Sequence, residues 1–118
     1  MEKKLMVVDD SRMSRMMIVS IVNENAPEWV VVEAGSADEA LALVGQQAFT
    51  AITLDQNMPG RSGLDVVSEL QAANPDVAIA LFTANVQKSV RAQAEKLGVT
   101  FIAKPITEEK VLDFVRQV

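Results

Sequence analysis

Hydrophobic and polar positions alternate along this chain in blocks. Five short apolar runs, KLMVV, WVVVEA, TAITL, VAIAL and VTFIA, are nearly continuous and rich in β-branched residues. Such runs suit strands buried on both faces of a parallel sheet. The segments between them carry helical periodicity. The first helix is predicted from about Arg12 to Asn25, with Met17, Ile18, Ile21 and Val22 as one apolar stripe. The second opens on Ser36-Ala37-Asp38-Glu39, a capping-box pattern. The third starts near Ser62 and carries Leu64, Val67 and Leu70. The fourth carries Val86, Val90, Ala94 and Leu97 and stops at Gly98. The fifth starts at Thr107, with Glu108 and Glu109 in the first turn, where the helix dipole favours anions. The resulting order, βαβαβαβαβα with short connections, predicts an α/β layered fold with a parallel sheet and right-handed crossovers.

In open α/β sheets, ligands sit at the carboxyl ends of the strands. Those ends deliver a short set of residues: Asp9 and Asp10 after the first strand, Asp55 after the third, Thr83 after the fourth and Lys104 after the fifth. Two carboxylates about 4 Å apart repel by roughly 4 kcal/mol at an effective dielectric of 20, so the cluster needs cations. Lys104 offsets one charge and a divalent ion offsets two. All-oxygen donors completed by water suit a hard ion, Mg²⁺. Such an ion with open positions can also grip phosphate oxygens, and an aspartate beside it can receive a phosphoryl group. Singly, each residue has an ordinary reading: a solvated acid, a cap on the first helix by Asp10 or Ser11, a turn threonine, a surface lysine. Five of them converging on one edge favour the joint reading.

Composition narrows the chemistry further. The chain has 118 residues, which is one ordinary domain, read as 1–118 without a linker or second domain. A net charge of −5 argues against direct nucleic-acid binding. Without cysteine there is no disulfide or thiolate chemistry, and without histidine the commonest general base and zinc ligand are missing. No apolar run approaches the roughly 18 residues that cross a bilayer, and no signal peptide is read at the start, so a cytoplasmic location and no membrane partner are expected.

The pieces VVDDS at 7–11, LDxxMPG at 54–60, Thr83-Ala84 and Lys104-Pro105 make the whole chain resemble a response-regulator receiver domain. The resemblance implies a flavodoxin-like (βα)5 three-layer sandwich with sheet order 2-1-3-4-5. It implies Asp55 as phosphoacceptor, and Asp9, Asp10, Asp55 and the backbone carbonyl of Asn57 as the Mg²⁺ site. Thr83 matches the hydroxyl, and Lys104 the ammonium, that meet the bound phosphoryl group; the Lys104–Pro105 bond is usually cis in this family. Phe101 matches the aromatic that turns inward when Thr83 moves. The function implied is a phosphorylation-activated switch of a two-component or chemotaxis system, not an enzyme in its own right. A sensor histidine kinase or histidine phosphotransfer protein supplies the phosphoryl group, since the chain has no histidine of its own. The surface of helix 4, strand 5 and helix 5 then controls a separate output protein.

Some positions depart from common members. Gln56 follows the acceptor where some chemotaxis members have tryptophan, and the lone Trp29 falls near the start of the second strand, far from the site. GVTFIAKP lacks the acidic pair and tyrosine of the common DNA-binding subfamily, which with no output domain argues against a transcription factor of that type. Asn57 and Asn85 occupy two variable positions flanking the path of the hydrolytic water. Met13 and Met16 fall off the core stripe of the first helix, and they read equally as ordinary exposed residues or as a docking face for a phosphotransfer partner. The rival readings are an aspartate-nucleophile phosphatase of the haloacid-dehalogenase type, a flavodoxin, and a receiver acting only as an interaction module. Asn57 stands where that phosphatase needs an acid, and the first loop carries carboxylates where a flavodoxin needs hydroxyls and glycines.

Overall fold

A computed structural model of the protein describes residues 2–118. Ten elements alternate: β1 (Lys3–Val8), α1 (Arg12–Asn25), β2 (Trp29–Ala34), α2 (Ala37–Val44), β3 (Ala51–Asp55), α3 (Gly63–Ala73), β4 (Ala78–Thr83), α4 (Lys88–Lys96), β5 (Thr100–Ala103) and α5 (Glu108–Arg116). The five strands form one parallel sheet in the order β2-β1-β3-β4-β5, as expected. Side chains alternate across it, so the core divides in two. Met6, Val8, Ile52, Leu54 and Leu81 pack with α2, α3 and α4 on one face. Leu5, Val7, Ala51, Ala80 and Phe82 pack with α1 and α5 on the other. Each large side chain fully buried in this way contributes about 1.5–3 kcal/mol over leaving it in water.

The two-faced burial read from the apolar runs holds for the inner strands β1, β3 and β4. It fails for β2 and β5, which are the sheet edges: Val30 is 42% exposed, and no residue of β5 is fully buried. Three further expectations are corrected. Met17 is 44% exposed and leaves the core stripe of α1 to Ile18 and Val22, with Ile21 beside them. Val86 lies before α4, not in it. There the Thr83 hydroxyl accepts from the Asn85 N–H at 2.9 Å and the Asn85 side chain from the Gln87 N–H at 3.2 Å. These local bonds hold a turn that competes with helix, so α4 begins only at Lys88. Ser36 caps α2 by accepting from the Glu39 N–H, without the reciprocal half of a capping box. The complete box stands at α3, where Ser62 and Asp65 cap each other's backbone. Ser11 and Thr107 cap α1 and α5, and Gly98, at φ +75°, ends the α4 turn in the left-handed region that favours glycine.

Candidate functional site: an acidic pocket at the carboxyl edge

The register of the sheet brings the acids together. Val8 of β1 pairs with Leu54 of β3, so Asp9 and Asp55, one residue further on, leave adjacent strands side by side. Both are buried, at 3% and 6% exposure, whereas Asp10, at the head of the turn into α1, is exposed. One carboxylate oxygen from each of Asp9, Asp10 and Asp55 lies within 4.8 Å of the others. Lys104 enters from the end of β5 and places its Nζ 3.1 Å from Asp9 Oδ2 and 3.5 Å from Asp55 Oδ1. Its peptide bond to Pro105 is cis.

The three acids are held differently. The Asp9 N–H donates to the Ala34 carbonyl at 3.1 Å, and its own carbonyl accepts from Arg15 Nη1 at 2.6 Å. Its Oδ1 accepts from the Ser11 N–H at 2.9 Å and its Oδ2 from Lys104. Asp9 is therefore a fixed part of the frame. The carboxylate of Asp10 accepts no hydrogen bond among the described residues. Asp55 is the acid under most strain. Burial, and then the charge of Asp9, push its pKa from the ordinary 3.8 up to about 6, against the opposing pull of Lys104. For Lys104, burial acts to lower the pKa, but its hydrogen bond to Asp9 and the charge of Asp55 prevail and hold it above the ordinary lysine value.

Thr83 ends β4 and is fully buried. Its oxygen accepts from the Asn85 N–H at 2.9 Å, and its hydroxyl proton has no acceptor among the described residues. Asn57 sits exposed in the loop after β3. Phe101 lies outside the acidic pocket. It is partly buried against the α2/α3/α4 core, with the Arg91 guanidinium 4.4 Å from its ring centroid. Trp29 is buried at the opposite end of the sheet.

Four residues shape the site in ways that the sequence did not announce. Gly63 starts α3 so close to β3 that a Cβ there would overlap the Asp55 carbonyl, which explains a glycine inside a helix. Its position directly after a capping serine was a visible signal. Gln56 accepts the Leu64 N–H on its side-chain oxygen at 2.8 Å and the Gly63 N–H on its carbonyl at 3.0 Å, tying the loop after β3 to α3. Arg15 ties α1 to the ends of β1 and β2. Thr53 lies two residues before Asp55 with a buried hydroxyl that has no hydrogen-bond partner among the described residues.

Three carboxylates against one ammonium leave the pocket about two charges short of neutrality. The oxygen donors, with no histidine or cysteine in the chain, fit Mg²⁺. The family model for the response regulator receiver domain matches residues 5–116. Over 117 residues the chain is 36% identical to a protein-glutamate methylesterase/protein-glutamine glutaminase of Moorella thermoacetica, covering 97% of this chain but 27% of that protein. It is 33% identical to the chemotaxis protein CheY of Listeria monocytogenes, covering 93% of this chain and 92% of that one. Among solved structures, it is similar to a response regulator from Burkholderia pseudomallei that carries a phosphorylated aspartic acid, a calcium ion and citrate. That match has a TM-score of 0.87 at 29% identity and covers 95% of this chain and 65% of that one. The chain thus spans about a quarter of one relative and nearly the whole of another.

Proposed function

Since the chain belongs to the response regulator receiver domain family, a family of signalling switches, we propose that Asp55 is the residue on which it is phosphorylated. The observation that carries this reading is the convergence of Asp9, Asp10 and Asp55 within 4.8 Å, with Lys104 3.5 Å from Asp55. The phosphorylated aspartate of the Burkholderia relative supports it. Asp9, Asp10, Asp55 and the Asn57 carbonyl would hold Mg²⁺, which when bound neutralises charge on the transferring phosphoryl group.

The residues divide the chemistry. A phosphohistidine of a sensor kinase or phosphotransfer protein, or a small acyl phosphate, presents its phosphorus to Asp55. A carboxylate oxygen forms the new P–O bond as the donor's P–N bond breaks and that electron pair leaves on the imidazole nitrogen; with an acyl phosphate the donor's P–O bond breaks instead and the pair leaves on the carboxylate oxygen. Lys104 stabilises the charge of the phosphoryl oxygens from its fixed place beside Asp9. Thr83 donates its free proton to the bound group. Phe101 then follows Thr83, and the surface of α4, β5 and α5 presents a changed face to a separate output protein. Met13 and Met16, exposed at 75% and 54%, give the donor an adaptable apolar face on α1 beside the pocket. No helix of the described residues is long and apolar enough to cross a membrane, and we place the switch in the cytoplasm with its kinase.

Incubation with acetyl phosphate and Mg²⁺, read by intact-protein mass spectrometry, tests the reading. One added phosphoryl group is expected on the parent protein and none on Asp55→Asn, since an amide oxygen is a poor nucleophile. Undiminished labelling of Asp55→Asn would move the acceptor elsewhere. A panel of histidine kinases in the same assay identifies the donor.

A further inference from the structure

Arg15 stands on the first turns of α1, where a solvated arginine would be ordinary. Instead its side chain is only 18% exposed and bridges two strand ends. Nη1 donates to the backbone carbonyl of Asp9 at 2.6 Å, and Nε donates to Glu33 at the end of β2 at 3.1 Å. Gly35 lies alongside, where a Cβ would come into ordinary contact with Nη1 at 3.5 Å.

The bridged peptide matters because it leads into Asp10. The carbonyl of Asp9 belongs to the peptide unit whose nitrogen is that of Asp10. Fixing this plane therefore fixes the direction in which the chain leaves β1 and where the Asp10 carboxylate begins. On its far side Asp10 is bounded only by the Ser11 N–H bond to Asp9 Oδ1, at 2.9 Å, and its own side chain is exposed and accepts no bond among the described residues. Asp9, by contrast, is held at its N–H and at both carboxylate oxygens without Arg15.

We infer that Arg15, anchored by Glu33, is a positioning residue for the metal-binding turn, setting the Asp10 carboxylate against Asp9 and Asp55. The inference rests on the reading of this pocket as a Mg²⁺ site. A planar guanidinium can serve both partners at once through separate N–H groups, whereas a lysine ammonium on its flexible stem serves one well. Loss of such an outer contact to a metal ligand costs about ten-fold or more in metal affinity.

The test is the Mg²⁺ dissociation constant by calorimetry, together with the thermal midpoint in EDTA, for the parent, Arg15→Met, Arg15→Lys and Glu33→Gln. Arg15→Met is expected to weaken Mg²⁺ binding about ten-fold, with Arg15→Lys in between and Glu33→Gln shifted less in the same direction. Labelling by acetyl phosphate in Arg15→Met should fall at low Mg²⁺ and return toward the parent rate at saturating Mg²⁺, because the acceptor itself is intact. A lowered thermal midpoint with unchanged Mg²⁺ affinity in the Arg15 variants would reduce Arg15 to a tie between α1 and β2. Should Arg15→Met fail to fold, unchanged affinity in Arg15→Lys and Glu33→Gln decides against the inference in the same way. A parent protein that binds no Mg²⁺ overturns the reading of the pocket itself, and the inference with it.

Discussion

Asp55→Asn should make the protein more stable, and the gain should depend on pH. In the native fold, burial and the neighbouring Asp9 raise the Asp55 pKa from 3.8 to about 6. That difference of roughly two units, at 1.36 kcal/mol per unit, is worth about 3 kcal/mol between the two protonation states. A carboxyl whose folded pKa is raised takes up its proton more readily folded than unfolded. Its favourable contribution is complete below about pH 3.8 and is lost as the pH rises to about 6. Above that, the ionised Asp55 costs the native state the full amount. Asparagine keeps the shape and never ionises. In EDTA at pH 8 the variant should therefore exceed the parent by about 3 kcal/mol, on the order of 10 °C in thermal midpoint for a domain of this size. At pH 3.5 the two should nearly coincide. Urea unfolding followed through Trp29 measures both, since this tryptophan is buried away from the pocket and reports the fold instead of the site. Mg²⁺ should close the gap from the parent's side, as an ion at 100 times its dissociation constant adds about 2.7 kcal/mol. A pH-independent difference, or a variant less stable than the parent at pH 8, would refute the account of strain at Asp55.

Thr53→Val should raise stability by about 1 kcal/mol, because it removes a buried hydroxyl that has no partner, and denaturant titration reads this directly. Labelling of Asp55 in that variant should stay at the parent level. Gly63→Ala should destabilise by about 2 kcal/mol and slow acetyl-phosphate labelling, because the new methyl forces α3 away from the Asp55 carbonyl; a neutral outcome in both assays would mean that the contact relaxes freely. Phe101→Ala should leave labelling of Asp55 largely intact while removing the phosphorylation-dependent change in hydrogen exchange across α4 and β5, and a retained change there would reduce Phe101 to core filling under Arg91.

The sequence carried most of the fold because each inner strand is a near-continuous apolar run, each helix has its own stripe, and four of the five helices open on a side-chain cap. The carboxyl-edge set was legible for a related reason: in a parallel sheet, the residues just past every strand must arrive at the same edge. Contacts between elements were not legible. Met17 and Ile18 are equally apolar in one dimension, and only the position of α5 and the sheet decides which is buried. Val86 continues the helical period of α4, yet Asn85 and Thr83 spend their side chains on the preceding turn. WVVVEA reads like an inner strand, but strand order places it at an edge. Arg15 and Glu33 are 18 residues apart, and nothing in either segment announces the other.

The adjacent aspartates at the end of β1 are two parts with different duties. Asp9 has its amide, carbonyl and both carboxylate oxygens engaged, so it lends charge and rigidity but has little freedom to move toward an ion. The side chain of Asp10 is exposed and has no hydrogen-bond partner among the described residues, so it can move toward an ion from a fixed backbone. Asp55 sits between them in charge: it is ionised at pH 8, but protonated below about pH 6 in the metal-free pocket. If Asp55 holds Mg²⁺ as proposed, proton and ion would compete for the same carboxylate, and metal affinity should fall as the pH drops through that value. On the proposed function the attacking oxygen and a metal ligand would be on one side chain, so acidification would withdraw both together. A fully neutral pocket would be more stable and would have no reason to bind a cation. On the proposed function, the unfavourable charge left at this edge is what would make the site responsive to an ion and then to a phosphoryl group.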